Sequence, residues 1–168
     1  MSALPPEERI VRAVCTDKYD KAKGRISPSL MMGPDTSVSR LHLIPLSDHW
    51  ELFLSHVQKP PERMLELLGV IGVRALQALG AAHEPKRDVV VEVAPDTRWN
   101  PPGAHAEIKG SLTRGLANKV VQAMQHSQED GAVLSYTGKA MIPNPPATGA
   151  PLIPPPPTLP PSGTWCRS

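Results

Sequence analysis

Ten of the chain's 21 prolines fall from Met141 onward, and four of them, Pro154-Pro155-Pro156-Pro157, are consecutive. No other feature limits the fold as sharply. Proline has no amide hydrogen to give to a helix or a sheet ladder, so such a stretch favours solvated polyproline II over a packed core. The sequence therefore predicts one folded domain over residues 8–138 and a disordered Pro-rich tail over 139–168, with a single core of ordinary size in the folded part. Within the tail, Pro151-Leu152-Ile153-Pro154 and Pro157-Thr158-Leu159-Pro160 have the Pro-x-x-Pro spacing that aromatic grooves of the SH3 type accept. No arginine flanks them closely, and a passive extension is the plainer reading.

Inside residues 8–138 the elements follow from periodicity and punctuation. Residues 10–15 are β-prone, but Pro5-Pro6-Glu7-Glu8 precedes them as a helix start would, and a helix is expected. The charged run from Asp17 to Gly24, with Lys18, Lys21, Lys23 and Arg25 in and just after it, reads as a solvated loop ahead of a phosphate-binding patch. Leu41 and Leu43 alternate with Arg40 and His42, the period of a half-buried strand. Ser47 then suits an N-cap, with Trp50, Phe53, Leu54 and Val57 along one helix face. Pro60-Pro61 ends that helix. Met64, Leu65, Leu67 and Leu68 predict a second helix, broken near Gly69 to Gly72 and resumed over 73–79. Residues 88–94 predict a strand whose three consecutive valines imply burial on both faces. A second strand over 104–109 and a turn with a capping Ser111 follow. Leu112, Leu116, Val120 and Met124 predict an amphipathic helix, and residues 132–136 a short final strand. The fold class expected is α+β, a small sheet of two to four short strands packed with three or four helices.

The charges exclude some functions. Eighteen basic and 16 acidic residues leave a net +2, which gives no basic footprint for nucleic acid. Cys15 and Cys166 form neither a disulfide framework nor a metal knuckle, and fit a reducing compartment. The N-terminus is polar and bears prolines, and no apolar run approaches the roughly 18 residues that a membrane span needs. A soluble, cytoplasmic protein without a membrane association is expected.

The stretch from Arg98 to Ile108 gathers the most chemistry. His105-Ala106-Glu107 has the spacing of a zinc deaminase, where a histidine binds the metal and a glutamate moves protons. The Pro-Cys-x-x-Cys pair that completes such a site is missing, so no metal and no cofactor are expected. What survives is an acid–base reading. His105 and Glu107 share one strand face, with Cβ atoms about 7 Å apart, and can act as a proton-transfer pair. Arg40, Ser37, Arg98, Asn100 and His42 are the candidate substrate-binding residues, since hydroxyls, an amide and cations together hold a phosphate or carboxylate. The plainer alternative leaves His105 and Glu107 on the solvated face of a strand, and Asp35 and Ser37 serving a turn.

The order of Ser37-Val38-Ser39-Arg40, Gly72-Val73, the valines of 89–93, Asn100-Pro101 with His105-Ala106-Glu107-Ile108, and Leu116-Ala117 resembles a diffuse group of uncharacterised bacterial proteins. Those carry Ser-Val-x-Arg and Asn-Pro-x-His-Ala-x-Ile elements in this order; here Pro102 and Gly103 are inserted before the histidine. The resemblance spans about residues 25–125 and implies a bacterial-type protein, but no activity. The sequence thus favours a non-catalytic accessory protein that works with a protein partner. The alternative is a small hydrolase or transferase acting on a phosphate- or nucleotide-like substrate through His105 and Glu107, with Arg40 holding the anion.

Overall fold

The run Ile10-Val11-Arg12-Ala13-Val14-Cys15 has apolar groups for two faces, and the fold uses both. A computed structural model describes residues 2–95, 99–126, 131–137 and 140–143, with side chains as far as residue 125. Arg9–Cys15 is strand β1, not the expected helix. Val11, Ala13 and Cys15 enter one apolar cluster, Ile10 and Val14 another, as the two-residue period of a strand requires. Leu65–Gly72, also expected as a helix, is a strand, β5, buried throughout except at Glu66. An apolar run covered on both faces loses its period and reads equally as helix or strand. Opposite Val14 and Cys15 lie Leu67 and Leu65, so Glu66 is the extra residue of a bulge. Gly69 breaks nothing. A Cβ there would lie 3.0 Å from Met124 Sδ, so the glycine lets a helix approach the strand.

Tyr19–Asp20 (β2) and Arg25–Ile26 (β3) form a small hairpin within the expected loop. Asp35–Arg40 is β4. The strand expected around Leu41 and Leu43 ends before them, in a turn where the Leu43 amide donates to Arg40 O at 3.3 Å. Helix α1, Leu46–His56, is entered from Pro45 instead of Ser47, whose hydroxyl donates to Asp48 Oδ1. Trp50 and Phe53 are buried, while Leu54 is 36% exposed. Helix α2 is Val73–His83. Val91–Val93 (β6) and His105–Lys109 (β7) follow as expected, but β6 lies at an edge of the sheet. The N-terminal segment covers that edge: Leu4 N–H donates to Val91 O and Val93 N–H to Ser2 O. Helix α3, Arg114–His126, is capped by Thr113, whose Oγ1 accepts from Leu116 N–H at 3.4 Å, and not by Ser111. Its apolar stripe of Leu116, Val120 and Met124 is buried, as its spacing predicts. Gly131–Thr137 (β8) and Ala140–Pro143 (β9) complete the elements. The last strand extends the paired structure beyond the boundary expected at 138.

Among the described residues the result is a mixed α+β fold with three α-helices. Its sheet has seven antiparallel strands in the order β6-β7-β4-β1-β5-β8-β9, more than the two to four expected, with the β2–β3 hairpin beside it. Helices α2 and α3 supply one apolar layer with Leu76, Leu116, Val120 and Met124, and α1 supplies the other with Trp50 and Phe53. Among the described residues no helix is long and apolar enough to cross a membrane.

Candidate functional site

Strand β7 pairs with β4 so that His105 faces Ser39, Glu107 faces Ser37 and Lys109 faces Asp35. Directly opposed residues share a face. His105, Glu107, Lys109, Ser37 and Ser39 therefore line the face that α1 covers farther along the sheet. There they part company. His105 is buried, its ring stacked on Trp99 with centroids 4.7 Å apart and planes 9° from parallel. Trp99 is buried too and meets Phe53 of α1 edge-on at 6.0 Å. The histidine is thus roofed by the loop after β6, and does not lie on the solvated strand face of the plainer expectation.

Glu107 is half-buried and its carboxylate accepts from Lys109 Nζ at 3.0 Å. Lys109 also reaches Asp35 at 3.2 Å. These contacts, with Glu107 the larger, hold the Lys109 ammonium above its ordinary range. Asp35 is held below the usual carboxylate range, first by the Gly110 N–H and then by Lys109. Gly110 has φ +73°, a conformation that favours glycine, so Asp35 braces the turn that follows β7.

Arg40 follows Ser39 and so points to the opposite face from His105. Its guanidinium grips Glu8 in a two-point pair, Nε to Oε1 at 2.6 Å and Nη2 to Oε2 at 3.1 Å. The remaining Nη1 donates to Gly103 O at 3.1 Å. Glu8 is only 3% exposed in its side chain and also accepts from His42 Nδ1, at 2.8 Å. His42 itself is 53% exposed. Glu8, Arg40 and His42 line a cavity of about 440 Å³ together with Pro5, Arg9 and Leu41.

No protein-family model, curated protein or solved structure matches this chain.

The expected site residues therefore fall into separate places. Arg40 and His42 meet at Glu8. His105 lies under Trp99, with Glu107 two residues on among surface charges. Ser37 and Arg40, expected to hold one anion together, lie on a strand that sends them to opposite faces. Ser37 instead accepts, through its carbonyl, from the half-buried Arg12 at 2.5 Å. Burial lowers that guanidinium to about 10, with Arg63 adding to the effect. Asn100 is exposed and lines a different cavity, of about 500 Å³, with Asp48, Glu51 and Ser55 of α1. Arg98 and both Pro-x-x-Pro segments lie outside the described residues. Among the described residues no group of three or more His, Cys, Asp or Glu is arranged to hold a metal ion.

Glu8, Trp99 and Arg12 are the residues that sequence reasoning missed. Glu8 reads as one of two helix-start acids, and only its place before the central strand marks it. Trp99 has a local signal, a large aromatic in a proline loop beside a histidine. Chemically, the arrangement around Glu8 is a buried carboxylate that fixes a half-exposed imidazole by Nδ1.

Proposed function

We propose that this is a non-catalytic accessory protein that acts by binding a protein partner. The supporting observation is the alternation along β4, which puts Arg40 and the His105–Glu107 pair on opposite faces of one sheet. Each group is also engaged in holding the fold: Arg40 by Glu8 and Gly103, Glu107 by Lys109, His105 by Trp99. The tail's Pro-x-x-Pro segments are a second point of contact of the polyproline type. The resemblance to uncharacterised bacterial proteins fits a bacterial, cytoplasmic setting. Complementation of a deletion strain tests this reading. His105→Gln and Glu107→Gln should restore the phenotype in proportion to the folded protein each yields. Loss of phenotype with unchanged folded amount and melting temperature would sink the proposal.

A second reading rests on the Glu8–His42 pair. A half-exposed imidazole oriented by a buried carboxylate is an arrangement that supports proton transfer, with Arg40 adjacent. It keeps the hydrolase or transferase alternative but moves its base from His105 to His42. His42→Gln, which leaves the Glu8–Arg40 pair in place, separates the two: the accessory reading expects full complementation, the enzymatic reading expects none.

A further inference from the structure

The charged run at residues 17–25 folds back on α3 and borders an open cleft of about 940 Å³. Its walls are fixed. Gln125 Nε2 donates to Gly24 O at 2.9 Å, tying the tip of the β2–β3 hairpin to the helix, and Ser27 N–H donates to Lys18 O. Tyr19 packs against the main core and lines the cleft.

The charges here are unevenly balanced. Lys18 pairs with Asp17 at 3.4 Å and Lys23 with Asp20 at 3.5 Å. Lys21 turns away to Glu66 at 2.7 Å. Arg25 from β3 and Arg114 from the start of α3 both line the cleft, and among the described residues neither has an ion-pair partner. Two guanidiniums without an ion-pair partner among the described residues, from segments far apart in sequence, are brought to one cavity. Asn118, one turn along α3, adds an amide to the same wall.

We propose that this cleft binds a phosphorylated small molecule of nucleotide size, its phosphates held by Arg25 and Arg114. Guanidinium forks match phosphate oxygens in pairs, and the carboxylates on the same wall, Asp17 and Asp20, are already engaged by Lys18 and Lys23. The volume suits a whole nucleotide, since ligand sites run to about 300–1,000 Å³. A single phosphate would leave most of it empty. A nucleic-acid strand is the poorer fit, because Asp17 and Asp20 interrupt any track of cations along the wall. The inference is independent of the accessory role, and concerns a region that neither His105 nor His42 enters.

Calorimetric titration of the full chain with ADP, and separately with inorganic pyrophosphate, tests it at low salt. Saturable binding of ADP, stronger than that of pyrophosphate, is expected. The double variant Arg25→Ala/Arg114→Ala should weaken it about a hundredfold, roughly tenfold for each guanidinium removed from the phosphates. Both side chains are exposed, so the fold should survive. Arg25→Lys/Arg114→Lys, which keeps the charge and loses the fork, gives an intermediate loss and guards against a folding artefact. Lys21→Ala, outside the cleft, should bind as wild type. No ADP binding at millimolar concentration would overturn the proposal, as would equal binding by the alanine double variant. Tighter binding of a short single-stranded RNA than of ADP would overturn it in favour of a nucleic-acid surface.

Discussion

Replacing Glu8 with Gln should destabilise this protein more than any change at His105 or Glu107. The substitution keeps size and shape but removes the negative charge and sets an amide near Arg40 Nε or Nη2. Breaking a buried ion pair from one side typically costs about 3–5 kcal/mol, because a charge is left unpaired. Here the guanidinium retains Gly103 O and is 16% exposed, so water can reach part of it. The cost should therefore fall below that range, at about 2–3 kcal/mol. In a domain of this size each kcal/mol moves the midpoint by about 3–5 °C, which predicts a fall of about 10 °C. Circular dichroism melts and urea unfolding measure this directly, and the urea slope should not change, since the same surface is exposed. Arg40→Met and the double variant complete a cycle, in which the pair should show a coupling of about 1–3 kcal/mol. A Glu8→Gln protein as stable as wild type, or strict additivity in the cycle, would refute the claim that this pair helps to hold the fold.

Three further outcomes each follow from the packing around one residue or one pair of glycines. At Gly80 a Cβ would collide with Val89 Cγ2, whereas at Gly115 it would meet only the exposed, movable ring of His83. Urea unfolding should thus show Gly80→Ala losing about 1–3 kcal/mol to overpacking and Gly115→Ala gaining up to about 1 kcal/mol from helix propensity. Burial holds the His49 imidazole below its ordinary value, outweighing the contact of Nδ1 with Pro45 O. The unfolded chain takes up this proton near pH 6.5 and the folded one resists it, so stability is full above about pH 6.5 and falls as pH drops below it. Melts from about pH 7.5 to 5 should show that slope, and His49→Leu should flatten it. Burial likewise pushes the Cys15 thiol up, so in a Cys166→Ser background Ellman's reagent should react with Cys15 only after denaturant is added.

The elements that can be read in the sequence are those with one dry and one wet face. Helix α3 shows this in Leu116, Val120 and Met124, as does α1 in Trp50 and Phe53. Strand β7 is legible from its alternation, although His105 lies on a second dry face made by Trp99. What misleads is burial on both sides. In β1 and β5 the apolar pattern has no wet face, and Leu65, Leu67 and Leu68 sit at helical spacing by coincidence. Gly69 reads as a break because its partner, Met124, belongs to a helix distant in sequence. The site is less legible than the fold. Arg40 and His42 stand out as polar groups, but their carboxylate, Glu8, is far upstream, beyond any local pattern. Period two alone separates Arg40 from Ser37 once residues 35–40 are read as a strand.

The central position of β1 has a consequence for how the chain reaches its native state. It precedes every other strand in sequence, yet its neighbours are β4 and β5, the latter well past the first helix. On the ribosome, Ile10 to Cys15 must wait for Leu65–Gly72 before both edges are paired. A topology so dependent on distant partners predicts folding in the millisecond-to-second range, slower than a helical bundle of equal length. During that wait the segment is an unpaired, apolar strand, the kind of surface that recruits chaperones or aggregates. The yield of soluble protein should accordingly respond more to the rate of synthesis and to chaperone supply than to modest changes in final stability.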